Sequence, residues 1–245
     1  MIVSGPTSCG KTYFLKEMLR RAQSTIVPPP ERIVWLYKRW QPLYDVIQNT
    51  VVPAVKFVRG IPSDLDADHY FDTGTRNLVI LDDLMTVSTK DARINDLFTE
   101  GSHHRNLSVI AVNQNLYFGK DPTQRRNCQY LVLFNNPVDR QPIATLGRQM
   151  YPRKKDFLLK TFEEATRKPH GYLLVDLKAE TPEHLRLRSD VMERDEDDVM
   201  ERDVDLKNET PEHMRLRSDL MKRDEDNSLE MDEDESYFET PVNPT

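Results

Sequence analysis

The N-terminal stretch Gly5–Thr12 constrains this chain more than any other part of its sequence. It reads Gly-Pro-Thr-Ser-Cys-Gly-Lys-Thr and fits Gly-x-x-x-x-Gly-Lys-Ser/Thr, the pattern of a phosphate-binding loop. The two glycines allow backbone conformations that a Cβ atom would obstruct, so that successive N–H groups can surround an anion. The flanks agree, because Met1–Ser4 predicts a short strand and Thr12–Arg21 predicts a helix with one apolar face.

The loop predicts a site for ATP with Mg²⁺. Lys11 is expected to reach the β- and γ-phosphates, and the Thr12 hydroxyl is expected to bind Mg²⁺. Cys9 lies beside Lys11 and a helix N-terminus, surroundings that lower the pKa of a thiol. A glycine-containing turn without a ligand is the alternative. The predicted nucleotide-binding positions are Gly5, Pro6, Thr7, Ser8, Cys9, Gly10, Lys11 and Thr12.

A second motif follows about seventy residues later, where the apolar run Leu78–Leu81 leads into Asp82 and Asp83. Four apolar residues predict a buried strand, and ligands of open α/β sheets bind where such strands end. Asp82 is expected to hold Mg²⁺ opposite Thr12, and Asp83 to polarise the attacking water. The alternative is a turn that merely ends a strand.

The next buried strand, Leu107–Val112, ends in the polar residues Asn113 and Gln114. We expect this strand to lie between the strand of the phosphate loop and the strand of Asp82. Gln114 is then the first candidate for sensing the γ-phosphate or orienting water, and Asn113 is the second. A polar cap on a strand is the alternative.

Nucleoside triphosphatases with this inserted strand usually work as rings, in which an arginine of a neighbouring subunit completes each site. Arg105 is the first candidate because it directly precedes the inserted strand. The further candidates are Arg125, Arg126 and Arg148. A surface charge is the alternative for each.

Apolar strands alternate with helical patterns along residues 1–177, which predicts an α/β fold with a mostly parallel central sheet and helices on both faces. The further predicted strands are 33–37, 55–58, 130–134 and 172–175, and the further helices are 43–47, 91–99, 142–150 and 154–166. This is the expected fold of a P-loop NTPase domain.

Residues 178–245 are expected to form an acidic, mostly disordered tail. The segment 180–197 recurs as 209–226 with 15 of 18 positions identical, which indicates a recent duplication. The Thr-Pro-Glu-His sequence that begins each copy favours a short helix. The repeat is either neutral expansion of a solvated tail or a motif that docks a partner.

Charge divides the chain in the same place. The net charge of −7 consists of −14 in residues 180–245 and +7 in residues 1–179. A basic body can bind a phosphate backbone, although ordinary solubility explains the same charge. Two cysteines, one inside the phosphate loop, indicate an intracellular protein with reduced thiols. No apolar run is long enough to span a membrane.

The motifs Gly5–Thr12 and 78–83, the run Leu97-Phe98-Thr99-Glu100-Gly101-Ser102-His103-His104-Arg105-Asn106-Leu107-Ser108-Val109-Ile110, and the following Asn113-Gln114-Asn115-Leu116 resemble genome-packaging ATPases of the FtsK–HerA superfamily. Those of Polinton/Maverick elements and adintoviruses are the most similar, and those of poxviruses are more remote. The resemblance covers residues 1–150. The Ser-His-His-Arg-Asn-Leu-Ser-Val-Ile run points to the packaging branch.

The resemblance implies a homo-oligomeric ring that moves double-stranded DNA into a capsid, with a capsid protein as a further partner. It implies catalysis by Lys11, Asp82, Asp83 and Gln114, with ATP and Mg²⁺ as cofactors, in the host nucleus or at the site of virion assembly. A non-motor adaptor that binds ATP and recruits a partner through its tail is one alternative. A nucleotide kinase is the other, although Gln114 after the Asp82–Asp83 strand argues against it.

Overall fold

A computed structural model describes residues 1–65, 70–84, 91–99, 106–117, 123–189 and 191 of the chain. Within these residues, eight strands form one sheet: β1 Ile2–Ser4, β2 Arg32–Tyr37, β3 Val55–Arg59, β4 Asn77–Asp82, β5 Leu107–Asn113, β6 Tyr130–Phe134, β7 Tyr172–Asp176 and β8 Leu187–Arg188. The α-helices there are α1 Lys11–Arg20, α2 Ala22–Thr25, α3 Pro42–Thr50, α4 Ala92–Leu97, α5 Thr123–Asn127, α6 Gln141–Met150 and α7 Phe157–Ala165, and a 3₁₀ helix spans Glu183–Leu185.

The sheet has the strand order β3-β2-β4-β5-β1-β6-β7-β8. Its first six strands are parallel, and β7 and β8 add to it in antiparallel orientation. Strand β5 lies between β1 and β4, so the expected insertion beside the strand of the phosphate loop is confirmed. The carboxyl ends of β1, β4 and β5 therefore meet at one edge, where open α/β sheets bind ligands.

Alternate residues of each strand belong to two separate apolar clusters, one on each face of the sheet. On β4, for example, Val79 and Leu81 join the cluster that includes residues of α4, α6 and α7. Leu78 and Ile80 join the other, which includes residues of α1 and α3. This period of two, with helices over both faces, explains why the buried strands read as continuous apolar runs.

The helix starts follow simple local rules. The predicted apolar face of α1 is buried, and α3 begins with Pro42, whose fixed φ suits the first helical position. The Asp91 carboxylate caps α4 by accepting the Arg93 backbone N–H at 3.0 Å. Within the described residues, no helix is both long and apolar enough to cross a membrane.

The folded part of the chain extends beyond the boundary expected at residue 177. Contacts divide the chain into the units Met1–Met192 and Glu193–Thr245, and the second unit lies outside the described residues. The 3₁₀ helix and β8 come from the first copy of the repeat, and the Arg186 carbonyl oxygen accepts the Asp176 N–H at 2.8 Å. The sequence did not predict this strand because it lies in a segment rich in charged residues.

Arg186 anchors this last strand. Its guanidinium donates hydrogen bonds of 2.7–3.0 Å to the carbonyl oxygens of Asp176, Lys178 and Thr181. It also contacts the Glu183 carboxylate at 3.2 Å. Arg188, by contrast, makes one contact of 3.2 Å to Asp176, and its side chain is 41% exposed.

Arg186→Ala should therefore lower the free energy of unfolding by about 1–3 kcal/mol, because three carbonyl groups lose their donors. Arg188→Ala is the matched comparison and should cost less, about 1 kcal/mol, since it breaks one contact between a guanidinium that is 41% exposed and the buried Asp176 carboxylate. Urea unfolding measures both values. Equal losses for the two variants would contradict the anchoring role of Arg186.

Candidate nucleotide-binding site

The phosphate loop connects β1 to α1 and is tied to the neighbouring strand. The Gly5 N–H donates to the carbonyl oxygen of Asn113 at 3.2 Å, which continues the pairing of β1 with β5. Ser8 and Gly10 have positive φ angles of 61° and 106°. These left-handed residues turn the backbone, as a nest of inward-facing N–H groups requires.

Packing requires a glycine at position 5. A Cβ atom there would lie 2.6 Å from the Phe134 Cβ and 2.7 Å from the Cys9 Sγ. Phe134 ends β6, which pairs with β1 on the side opposite β5. The loop therefore starts in a gap that only a residue without a side chain fits.

The Lys11 side chain bends back over the loop. Its Nζ donates to the carbonyl oxygens of Gly5 and Pro6, both at 2.6 Å, and lies 3.9 Å from the Cys9 Sγ. The ammonium group is thus held inside the concave side of the loop. A bound phosphate would replace these two carbonyl groups as its partner.

The expectation for Cys9 was wrong in sign. Burial raises the pKa of the Cys9 thiol by more than the nearby Lys11 lowers it. Cys9 packs against the apolar cluster of α1 and α3, so the thiolate is poorly solvated there. Both Cys9 and Cys128 are free thiols.

Asp82 ends β4 and is buried, with 4% of its surface exposed. The Tyr44 hydroxyl donates to its Oδ2 at 2.7 Å. Burial raises the pKa of Asp82, and the Tyr44 hydrogen bond and the Lys11 ammonium lower it by less. The Trp35 indole N–H also lowers it, although its nitrogen has no hydrogen-bond partner among the described residues. Burial therefore disfavours the ionised form of Asp82.

Asp83 and Gln114 lie together at the same sheet edge. Asp83 is exposed and has a φ of 54°, and the Gln114 Nε2 lies 3.4 Å from its Oδ1. Asn113 is half-buried and gives its carbonyl oxygen to Gly5. The structure thus brings the predicted base and the predicted sensor into contact, next to Asn113, whose carbonyl oxygen is bonded to the phosphate loop.

The structure describes some of the remaining candidate residues and not others. Arg105, His103 and His104 lie outside the described residues. The Arg125 guanidinium lies 4.4 Å from the centre of the Tyr117 ring. Burial raises the pKa of Tyr117, and the nearby Arg125 and Arg148 lower it by less. Arg126, Thr7 and Ser8 are exposed, and Pro6 and Thr12 are half-buried.

Two residues of this site were missed at the sequence level. Tyr44 lies 38 positions before Asp82, and His170 lies 161 positions after Cys9, whose carbonyl oxygen its Nδ1 approaches at 3.2 Å. No local motif connects such distant positions. The one available signal for His170 was the adjoining Gly171, which marks a tight turn before β7.

The residues present fit a nucleotide with Mg²⁺. Asp82 and the Thr12 hydroxyl offer the oxygen ligands that this ion prefers, and the burial that raises the pKa of Asp82 favours a bound cation. Among the described residues, no group of three or more His, Cys, Asp and Glu side chains forms a separate metal site.

The fold is similar to that of viral packaging enzymes. B204, the DNA-packaging ATPase from Sulfolobus Turreted Icosahedral Virus, matches with a TM-score of 0.52 and 11% identity, over 77% of this chain and 94% of that chain. The genome-packaging NTPase B204 from Sulfolobus turreted icosahedral virus 2 in complex with ATP-gammaS matches with a TM-score of 0.50, the same identity and the same coverage.

EssC (ATPases 2 and 3) from Geobacillus thermodenitrificans matches at a TM-score of 0.39 and 9% identity, over 54% of this chain and 31% of that chain, which is too weak for comparison. No protein-family model matches the sequence, and no curated protein is similar to it in sequence. The B204 structures and the strand order show that the chain has the fold of a P-loop NTPase.

Asp82→Asn should stabilise the folded chain at neutral pH. Because burial raises the pKa of Asp82 above its unfolded value, ionisation favours unfolding above that raised pKa. The amide removes the charge and keeps an oxygen for Tyr44, so the free energy of unfolding at pH 7 should rise by roughly 1–2 kcal/mol.

The gain should shrink as the pH falls from the raised folded-state pKa toward the ordinary pKa of the unfolded chain, because the folded carboxyl group becomes protonated first. Below the unfolded pKa the group is protonated in both states, and the gain should be smallest there. Denaturant unfolding at several pH values, without added Mg²⁺, measures this. The exposed neighbour provides the control variant Asp83→Asn, which should leave stability nearly unchanged. A loss of stability at pH 7 in Asp82→Asn would refute the assignment of Asp82 as a buried carboxylate whose ionisation lowers stability.

Proposed function

We propose that this chain is an ATPase that moves double-stranded DNA, and that it packages a viral or transposon-like genome into a capsid. The observation that carries the proposal is the shared sheet edge at which the phosphate loop, Asp82, Asp83 and Gln114 meet. The likeness of the fold to the B204 packaging enzymes supports it.

Each residue of the site has a defined task in this proposal. The loop binds the phosphates through its N–H groups, and Lys11 leaves the carbonyl oxygens of Gly5 and Pro6 to meet the β- and γ-phosphates. Asp83 accepts a hydrogen bond from the attacking water and aligns it. Gln114, in contact with Asp83, responds to the presence of the γ-phosphate. Tyr44 holds the Asp82 carboxylate in place.

Thr12 and Asp82 would hold Mg²⁺, which when bound neutralises charge on the phosphates. Burial raises the pKa of Asp82 and so destabilises its ionised form when no cation is bound. A bound Mg²⁺ would stabilise that ionised form. Binding of nucleotide and of Mg²⁺ should therefore reinforce each other in this chain.

The charge distribution supports a nucleic-acid partner. Residues 1–192, which form the compact unit, carry a net charge of +6, and residues 193–245 carry −13. A basic body attracts the phosphates of double-stranded DNA, whereas the acidic segment repels them. Assembly into a ring, with Arg105 or another arginine acting on a neighbour's site, belongs to the same proposal, as does a capsid protein as partner. The expected location is the host nucleus or the site of virion assembly.

Two alternatives remain distinguishable. A non-motor adaptor would bind ATP without hydrolysing it and would use the tail to recruit a partner. A nucleotide kinase would transfer the γ-phosphate to an acceptor. The strand β5 between β1 and β4, with Gln114 at its end, favours the ATPase over the kinase.

Lys11→Ala should lower ATP hydrolysis by at least ~100-fold, because it removes the charge that meets the developing negative charge on the phosphates. Asp83→Asn should retain ATP binding and lose turnover, since it leaves the loop and Asp82 intact. Steady-state turnover and equilibrium ATP binding measure the two effects separately. Unchanged turnover in Asp83→Asn would remove Asp83 from the role of base.

DNA should stimulate hydrolysis and should bind more tightly when the acidic segment is removed. We propose that residues 193–245, which are acidic and belong to the same chain, compete with DNA for the basic residues at high effective concentration. We expect the protein 1–192 to bind DNA more tightly than the full chain at low salt, with the difference fading at high salt. The cut at residue 192 keeps β8, which a cut at 179 would remove.

Titration of both proteins with double-stranded DNA at two salt concentrations, combined with turnover assays, tests this. ATP turnover that DNA does not change and that requires a nucleotide acceptor would favour the kinase. ATP binding without turnover would favour the adaptor. Equal DNA affinities at low salt would show that the tail does not compete.

A further inference from the structure

The connection between α7 and β7 is a tight turn with an unusual backbone. His170 has a φ of 58°, a left-handed conformation that is uncommon for a residue with a side chain. At the next position, a Cβ on Gly171 would lie 2.5 Å from the Ala165 carbonyl oxygen. The Gly171 N–H closes the turn on the Lys168 carbonyl oxygen at 2.9 Å. Strained backbone of this kind is often kept for a function, so the contacts of His170 matter.

His170 lies directly against the phosphate loop. Its Nδ1 is 3.2 Å from the carbonyl oxygen of Cys9. Since a carbonyl oxygen only accepts hydrogen bonds, Nδ1 carries the proton and donates it. The imidazole also covers Gly10: a Cβ at position 10 would lie 3.0 Å from the His170 Nδ1 and 3.2 Å from its Cβ.

This contact fixes one peptide plane of the loop. In a trans peptide the C=O and the following N–H point in opposite directions. The Cys9 carbonyl faces the His170 imidazole, so the Gly10 N–H is directed to the other side, away from the imidazole. Gly10 is the last residue before α1, and the N–H groups at such a position are the ones that surround a bound phosphate.

We infer that His170 is a positioning residue of the phosphate loop: it holds the Cys9–Gly10 peptide in the orientation that presents the Gly10 N–H to the nucleotide phosphates. The left-handed backbone of His170 places its short side chain against this peptide. The inference deepens the proposed function and rests on it, because it assumes that the loop binds a nucleotide.

The experiment compares variants of the full chain for binding of ATP, ADP and AMP. His170→Gly is the main variant, because glycine accepts the positive φ without strain while removing the donor. His170→Asn is the restoring variant, since asparagine tolerates the same backbone and its amide N–H lies near the position of Nδ1. Lys168→Ala changes an exposed side chain of the same turn and is the control.

We expect His170→Gly to weaken ATP and ADP binding by the same factor, roughly 3- to 10-fold, because one hydrogen bond to a charged phosphate becomes poorly oriented. AMP should lose less, since it lacks the β-phosphate. The KM for ATP should rise by a similar factor while kcat stays within about twofold, because the contact exists in both the ground state and the transition state. His170→Asn should return toward the wild-type values.

Four results would decide the matter. Wild-type affinity for ATP in His170→Gly would overturn the inference and leave the proposed function standing. A His170→Asn protein as weak as His170→Gly would also overturn it, because the amide donor would then not matter. Equal losses for AMP and ATP would indicate a general disturbance of the fold and count against it. A wild-type chain that binds no ATP would overturn the proposed function and the inference together.

Discussion

The three residues of β1 position the two neighbouring strands and the phosphate loop. They pair in parallel with β5 on one side and with β6 on the other, so that a short strand holds the centre of an eight-stranded sheet. The phosphate loop leaves β1 in register with Asn113, and the Gly5 N–H continues that pairing. Because parallel strands end at one edge, this register brings the loop, Asp82 and Gln114 to the same place.

Two charged groups lie at this edge of the sheet. The Lys11 ammonium rests on two carbonyl oxygens, and the buried Asp82 has its pKa raised by loss of solvent. Each group is held by weaker partners than those that a nucleotide with Mg²⁺ would offer. A site of this kind gives up some stability of the free protein in return for affinity, as functional sites commonly do.

Local patterns were sufficient for β1 to β7 and for the phosphate loop, because strands and loops of this class carry their signals in consecutive residues. The run 78–83 and the glycines of Gly5–Thr12 are examples, and the placement of β5 followed from the polar residues after it. Tyr44 and His170 could not be found in this way, since their contacts with Asp82 and Cys9 exist only once the chain is folded.

The predicted direction of the Cys9 pKa shift was wrong for a related reason. A sequence shows that Lys11 is near, but not that the thiol is buried. Strand β8 was not predicted because a charged segment is typical of a solvated tail. In the structure, Arg186 of this segment donates to three backbone carbonyl groups of the preceding turn and strand. Burial and backbone pairing are properties of the whole fold and are only weakly encoded in short windows.

Strand β8 connects the duplication in the sequence with the fold. The first copy contributes Arg186, Leu187 and Arg188 to the sheet edge, and the second copy has Arg215, Leu216 and Arg217 at the matching positions. A recombination event that deleted residues 180–208 would join Ala179 directly to Glu209 and regenerate nearly the same local sequence, with Met214 in place of Leu185. The gene can therefore gain or lose 29-residue units while the sequence that follows β7 keeps an arginine at the anchoring position.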